Sequence, residues 1–278
     1  MSGKLYLIAT PIGNLGDISY RAVETLKKVD IIAAEDVRHS LKLLNYLNIS
    51  KPMFSLHRHN ESIKKEEVIK LLNEGKNVAL ITDAGTPGIS DPGEEVVKEV
   101  IEKNIEMTSI PGPCALINAL VLSGLDTKEF SFYGFLPLNK KLRKEKFEDI
   151  KQQRKTIIFH EAPHRIIKTL EEMQNIFGNI YVVLAKELTK LHEQIIRGSI
   201  SEVIKELVDV KGEYIILFEV NSKTNKEIEI EEINNMSIDD QYNYYKNKGL
   251  DKKEIIKIIA KNNKVKKDEI YKLCLEKR

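Results

Sequence analysis

Within its first 125 residues the chain repeats one pattern. A short apolar run leads into a loop rich in glycine, proline or charge, and an amphipathic stretch follows. The apolar runs are Leu5–Ala9, Ile31–Ala34, Met53–Leu56, Val78–Thr82 and Glu106–Ile110. The amphipathic stretches are Ser19–Val29, His39–Asn48, Glu61–Glu74, Glu94–Lys103 and Cys114–Ser123. Strands that alternate with helices of this length make βαβ units and a mostly parallel sheet. The last stretch reads CALINALVLS and is apolar almost all round. A helix without a polar face is buried in a large core or against a partner.

A second alternating block follows, with strands at Phe130–Phe135, Thr156–Phe159, Tyr181–Ala185 and Tyr214–Val220. Its helices fall at Lys140–Gln153, Pro163–Ile176 and Ile200–Val208. After Val220 the chain turns polar and mostly acidic, as a linker does. Two helical stretches, Lys252–Lys261 and Lys266–Glu276, flank Asn262–Val265. The expected fold class is α/β: two consecutive α/β domains, residues 1–115 and 116–222, then a linker at 223–236. A small helical module, helix-turn-helix-like, completes the chain at 237–278.

No apolar run approaches the ~20 residues of a membrane-spanning helix. Cys114 and Cys274 lie far apart, so neither a disulfide framework nor a cysteine zinc site is expected, and the composition suits a reducing cytoplasm. The chain has 44 Lys and Arg against 42 Asp and Glu, a net charge of +2. That balance hides an asymmetry: residues 246–278 carry 12 basic and 5 acidic side chains. Such a basic end is either a polyanion contact or a solvated lysine-rich face. Leu250, Ile255, Ile258, Ile259, Ile270 and Leu273 recur at helical spacing and can form an apolar seam between two helices. Lys252, Lys253, Lys257, Lys261, Lys264, Lys266, Lys267 and Lys272 are left facing water.

In an open parallel sheet, ligands bind beyond the carboxyl ends of the strands. Here the exits read TPIGNLGD, EDVRH, HRHNE, DAGTPGISDPG and PGPC. Any one of these loops is an ordinary turn by itself; five on one edge form a site. Neither a P-loop nor a G-x-G-x-x-G loop is present, so phosphate cradling is not expected. Gly85, Gly88 and Gly112 offer bare backbone to a flat or extended ligand. His160-Glu161-Ala162-Pro163-His164 fits H-E-x-x-H, but Pro163 forbids a helix interior there. His160 should end a strand and His164 begin a helix, leaving an active-site rim or helix-start residues and no metal site.

Together, TPIGNLGD, AAEDVRH, HRHNE, ITDAGTPGISDPG, SIPGPCAL, FHEAPHR and ELTKLHEQIIRG with GEYIILFE resemble the tetrapyrrole-methylase superfamily, over residues 4–220. More narrowly they are similar to its bacterial 16S rRNA cytidine 2′-O-methyltransferases. The resemblance implies S-adenosylmethionine (SAM) as cofactor, held between the two α/β domains, and a homodimer. It also implies a partner, 16S rRNA in the small ribosomal subunit, with no membrane and no DNA partner. The implied cofactor residues are Pro11, Gly13, Thr82, Asp83, Ala84, Gly85, Thr86, Pro87, Gly88, Pro111, Gly112, Pro113 and Cys114. Facing them are Lys186, Glu187, Leu188, Thr189, Gly212, Glu213 and Tyr214. The catalytic rim is expected from Glu35, Asp36, Arg38, His57, His59 and Asn60, with His160, Glu161 and Arg165 opposite. Relatives often have Ser where this chain has Cys114, and a thiol is the weaker donor. A tetrapyrrole methyltransferase and a non-catalytic RNA-binding module are the competing functions.

Overall fold

The computed structural model describes residues 2–207, 210–220, 233–234, 236–263 and 265–273. Met1–Val220 form one compact unit and Asn221–Arg278 a second.

The first sheet of the larger unit contains β1 (Leu5–Ile8), β2 (Ile31–Ala34), β3 (Met53–Ser55), β4 (Val78–Ile81) and β5 (Met107–Ile110), in the order β3-β2-β4-β1-β5. Every pair is parallel, with Leu5 opposite Val78 on one side and Met107 on the other. Its helices are α1 (Tyr20–Lys28), α2 (Val37–Tyr46), α3 (Glu61–Asn73) and α4 (Glu94–Glu102). Both faces of the sheet are covered, which explains the nearly unbroken apolar strands. Val78 and Leu80 face α3 and α4. Ala79 and Ile81, one residue out of phase, face α1 and α2. Local chemistry sets the helix starts: Ser19 accepts the Ala22 amide and Asp36 the Arg38 amide.

The second sheet contains β6 (Phe130–Phe135), β7 (Thr156–Glu161), β8 (Tyr181–Lys186), β9 (Gln194–Ser199) and β10 (Tyr214–Glu219), in the order β6-β7-β10-β8-β9. Here the expected mostly parallel arrangement fails. Only β6 and β7 are parallel, and the other pairings are antiparallel. Strand β9 has no counterpart in the sequence reading, because QIIRGS interrupts its apolar residues with Arg and Gly. A short loop joins it to β8, and short loops connect antiparallel strands only. On one face pack α6 (Lys140–Lys151), α7 (Ile166–Phe177) and α8 (Ile200–Glu206). On the other lies α5 (Ala115–Ser123), whose Leu116, Ala119 and Leu120 meet Ile158, Val183 and Leu217. Helix α5 ends where Gly124 takes a left-handed φ of 77° and the Arg197 guanidinium donates to the Leu122 carbonyl.

His160 and Glu161 lie within β7, and Pro163–Arg165 form a single 3-10 turn before α7. His164 therefore sits in that turn and does not begin the α-helix, which starts three residues after Pro163.

The smaller unit has three helices among its described residues, α9 (Ile238–Asn247), α10 (Lys252–Asn262) and α11 (Lys267–Leu273), where the sequence reading has two. Helix α9 reads IDDQYNYYKN and lacks aliphatic periodicity, but its Tyr242 and Tyr245 pack on the cluster of Ile255, Ile256, Ile259, Ala260 and Ile270. That extra helix turns Ile256 and Ala260 inward, while Ile258 is only half-buried. Buried Gln241 accepts from Asn263 Nδ2 at 2.9 Å and donates to the Met236 carbonyl at 2.9 Å. Most of the 223–236 linker, Lys264 and the side chains of Lys272 and Leu273 lie outside the described residues, as does residue 208 at the end of the expected third helix of the second block.

One buried carboxylate holds the first domain's loop edge. The N-cap position of α4 is Gly93, which has no side chain to offer. Glu61, 7% exposed at the start of α3, supplies the acceptor instead: its Oε1 receives the amides of Gly93 and Glu95 at 2.9 Å and Val96 at 3.3 Å. Glu61→Ala leaves buried donors unpaired at a helix N-terminus and should cost about 3 kcal/mol. Glu61→Gln keeps a neutral acceptor and should cost about half as much. Urea unfolding with an unchanged m-value checks both.

Candidate active site

The strand exits of the first sheet meet the ends of the second around a cavity of about 410 Å³. That volume lies within the ~300–1,000 Å³ range of small-molecule sites. Thr10, just past β1, exchanges two backbone hydrogen bonds with Gly85, just past β4, at 2.9 and 3.0 Å. The Thr10 hydroxyl adds a third bond, to the Thr82 carbonyl at 3.0 Å. These bonds hold the Asp83–Asp91 loop against the first exit. Ile12 continues onto the second sheet and joins Leu188, Ile215 and Leu116 in one apolar cluster. The cavity's inner wall is therefore Ile12, Leu116, Ala185, Leu188 and Ile215.

Three carboxylates at the first sheet's strand exits, Glu35, Asp83 and Asp91, line the cavity, and among the described residues no Lys or Arg does. Glu35 Oε2 accepts the Asp83 amide at 3.2 Å, and Asp83 Oδ1 accepts the Asp36 amide at 3.2 Å. Burial raises the Glu35 carboxyl above its ordinary range, against the Asp83 amide bond. Burial together with the charges of Glu35 and Asp83 pushes Asp91 up to about 6, although Arg58 opposes the shift. His160 on the opposite wall is lowered by burial.

Of the expected residues, the cavity gathers Glu35, Asp83, Ala84, Gly85, Thr86, Cys114, His160, Glu161, Leu188, Glu213 and Tyr214. An adjoining hollow is lined by Glu35, Asp36, Arg38, Ser55 and His57, so Glu35 is common to both. The buried Nδ1 of His57 has no partner there among the described residues. Asp36 caps α2 and pairs with Arg38 at 3.4 Å, while the Arg38 side chain is 92% exposed. The Arg38 amide and guanidinium hold the Asp36 carboxyl below its ordinary value. His59 is exposed and borders neither space. The Asn60 side chain is spent on its own loop, bonding the His57 amide and the Ser55 carbonyl. Glu161, although at the wall, is 1% exposed and saturated by the Ala162 amide, the Thr169 hydroxyl and Arg165.

Pro11, Gly13, Thr82, Pro87, Gly88, Pro111, Gly112, Pro113, Lys186, Glu187, Thr189 and Gly212 stand outside the cavity lining. At Gly112, a Cβ would meet the Ala9 Cβ at 3.0 Å, so close chain packing requires glycine there. Gly13 and Gly212 likewise make room for Lys190 and Glu187. The Lys190 ammonium bridges Glu187 at 3.0 Å and Glu213 at 2.9 Å. Sequence reading missed Ile12, Ile89, Ser90, Asp91, Ala115, Leu116, Phe135, Ala162, Pro163, Ala185 and Ile215. Asp91 and Ser90 had a readable signal, standing in the same DAGTPGISDPG loop. The apolar residues carry no mark that separates a cavity wall from a core.

The family of Tetrapyrrole (Corrin/Porphyrin) Methylases matches residues 4–204. The chain belongs to this tetrapyrrole methylase family. Among its relatives it is 46% identical over 235 residues to Ribosomal RNA small subunit methyltransferase I of Haemophilus influenzae, covering 83% of each chain. It is 42% identical over 275 residues to the protein of the same name from Halalkalibacterium halodurans, covering 98% of this chain and 94% of the other. A solved structure of uroporphyrin-III C-methyltransferase from Thermus thermophilus, complexed with S-adenosyl homocysteine, superposes with a TM-score of 0.56 at 15% identity. It covers 78% of this chain and 98% of that one, and shares the fold.

The folded pKa of Asp91 lies above its unfolded value, so the protonated form stabilises the fold. That stability is present below about pH 4 and lost as pH rises through about 6. Two pH units correspond to about 3 kcal/mol, and water reaching this partly exposed carboxylate reduces it to about 1 kcal/mol. Asp91→Asn should therefore match the parent below pH 4 and exceed it by about 1 kcal/mol above pH 7. Denaturant midpoints across that range measure the difference.

Proposed function

We propose that this chain is a SAM-dependent methyltransferase that methylates the ribose 2′-hydroxyl of a cytidine in the decoding region of 16S rRNA. The cavity carries this reading: an apolar inner wall and five carboxylates, Glu35, Asp83, Asp91, Glu161 and Glu213, with no Lys or Arg in the lining among the described residues. SAM, when bound, supplies an electrophilic methyl group on a sulfonium cation. The donor set fits that group, since a cationic lining would repel it and carboxylates attract it. The apolar wall of Ile12, Leu188 and Ile215 suits an adenine ring, and Asp83–Thr86 bring backbone and carboxylate to its polar parts. The names of the relatives support RNA of the small subunit as the acceptor.

Methyl transfer to a ribose needs the hydroxyl proton removed. Glu35 and Asp91 are the acceptors this geometry offers, because both face the cavity and burial makes both more basic than free carboxylates. The hollow that shares Glu35 presents Arg38 and His57, which suit a sugar-phosphate backbone. Asp36, Asn60, Glu161 and Arg165 act by holding these loops. The protein works in the cytoplasm as a homodimer, and the exposed face of Ile117, Val121 and Leu122 on α5 supports that assembly. Among the described residues no helix is long and apolar enough to cross a membrane.

Tritiated methyl transfer to small subunits lacking the modification tests the reading, with the product identified as 2′-O-methylcytidine after nuclease digestion. A charge substitution tests the cavity. Ile89 lines the mouth and is 47% exposed, so Ile89→Lys buries nothing new. Ile89→Lys should weaken SAM binding about tenfold by calorimetry, Ile89→Leu should leave it unchanged, and equal affinities would place the cofactor elsewhere.

The helical module supports an RNA contact, since Lys253, Lys257, Lys261 and Lys267 are exposed. Changing all four to Gln in the full chain should weaken subunit binding. It should also flatten the plot of log Kd against log salt by about one for each phosphate no longer neutralised. An unchanged slope would make the lysines a solvated face.

A further inference from the structure

Strand β6 contains an irregularity that the rest of its sheet does not need. Phe132 lies opposite Ile158 and Phe135 opposite His160, so three steps of β6 match two steps of β7. The extra residue is a bulge. Within it Gly134 takes a left-handed φ of 60°, and a Cβ on Gly134 would stand 3.0 Å from the Ser90 hydroxyl oxygen. Ser90 is itself left-handed at φ 65°, and its carbonyl accepts the Arg58 guanidinium at 2.7 Å. The bulge is thus pressed against the loop that carries Asp91.

The bulge changes where one ring points. Residues three apart on a regular strand face opposite ways. Here Phe132 and Phe135 both meet the His160 ring, at centroid distances of 5.2 and 5.4 Å. The extra residue has therefore turned Phe135 from the face covered by α6–α8 to the face that carries α5 and Phe132. Its ring lies at 30° to the imidazole, lines the cavity and is 58% exposed. A phenylalanine this exposed gains little from burial in the free protein. The apolar wall deeper in the cavity, with Ile12, Leu188 and Ile215 each under a tenth exposed, is separate from this outer ring.

We propose that Phe135, turned outward by the Gly134 bulge and backed by His160, is the platform on which the base of the target nucleotide stacks. The inference rests on reading the chain as an rRNA methyltransferase and names how that site takes its substrate. A nucleotide drawn out of its stack toward this cavity loses its neighbours, and proteins that bind unstacked bases offer them an aromatic face in exchange. The buried imidazole behind the ring is held toward its neutral form, so it supports the ring without adding a cation to the cavity.

The test compares Phe135→Ala, Phe135→Leu and Phe135→Tyr in the full-length protein, with small subunits lacking the modification as substrate. Methyl-transfer KM and kcat are read beside SAM affinity by calorimetry. The proposal expects Phe135→Ala to raise KM for the subunit about tenfold, the usual scale for removing one base stack. SAM affinity should stay within twofold. Phe135→Tyr should restore the parent KM, and Phe135→Leu should not. A leucine variant as good as the parent would reduce the ring to apolar packing and overturn the proposal. An alanine variant that loses SAM would assign the ring to the cofactor, and one with parental KM would give it no role; either overturns the proposal. If the parent protein modifies no rRNA, the functional reading fails and the stacking role falls with it. If the parent is active and Phe135→Ala equals it, the stacking role alone falls.

Discussion

Parallel pairing of the first five strands is the constraint from which the site follows. A parallel neighbour can be reached only by crossing back over the sheet, so every strand runs the same way and every exit falls on one edge. Glu35 follows β2 while Asp83 and Asp91 follow β4, and the two distant stretches share a cavity for that reason. The edge would still be loose without a tie between its loops. Thr10 and Gly85 supply it through reciprocal backbone bonds, and Glu61 fixes the far end of the same loop at the start of α4. A loop on a flexible tether could not keep Asp91 buried beside Glu35 and Asp83, and it is that burial, with their charges, that raises its carboxyl to about 6.

The second sheet closes the cavity by a different geometry. Its antiparallel strands put β8 and β10 end to start at the cavity, so the end of β8 and the start of β10 both face it. Lys190 pins this edge by bridging Glu187 and Glu213 across the two loops. Its neighbours Glu187 and Thr189 hold left-handed backbone without being glycine, a conformation the surrounding bonds must enforce. Ile12 joins the two halves: it leaves the first sheet and is buried in the second sheet's apolar cluster. The two α/β halves thus share packing, and the cavity wall is part of the core.

What could be read from the sequence was whatever a period or a loop composition records. The five strands and four helices of the first sheet follow from apolar runs that alternate with amphipathic stretches, and the loops that build the site follow from their glycines, prolines and charges. Strand β9 could not be read because its pairing depends on β8, a partner far stronger than its own QIIRGS pattern. Helix α9 was hidden for a similar reason, since its buried face is tyrosine and glutamine and acquires meaning only against α10. Glycines misled the reading in a more instructive way. Gly85, Gly88 and Gly112 read as bare backbone for a ligand, yet a Cβ on Gly112 would meet Ala9 at 3.0 Å, so chain packing alone already demands glycine there. Close approach demands glycine whether the thing approached is a ligand or a neighbour, and composition alone does not distinguish the two. Asp91 was passed over although it stands in the same loop as Asp83, because its raised carboxyl depends on burial and on Glu35, neither of which that loop's composition records.

The electrostatics of the two units answer different needs. A cavity lined by five carboxylates and, among the described residues, by no Lys or Arg attracts a sulfonium and repels a polyphosphate. On the proposed function, an RNA substrate therefore cannot draw its affinity from this cavity. The attraction has to come from basic groups outside, and the chain concentrates them: residues 246–278 hold 12 Lys and Arg against 5 Asp and Glu. What the cavity can offer the RNA is an interaction that does not depend on charge, and an exposed aromatic ring is the group that takes a base without neutralising a phosphate. The acidic cavity, the basic helical module and the outward phenylalanine are then three consequences of one requirement, that a cationic donor and an anionic acceptor be brought to the same place.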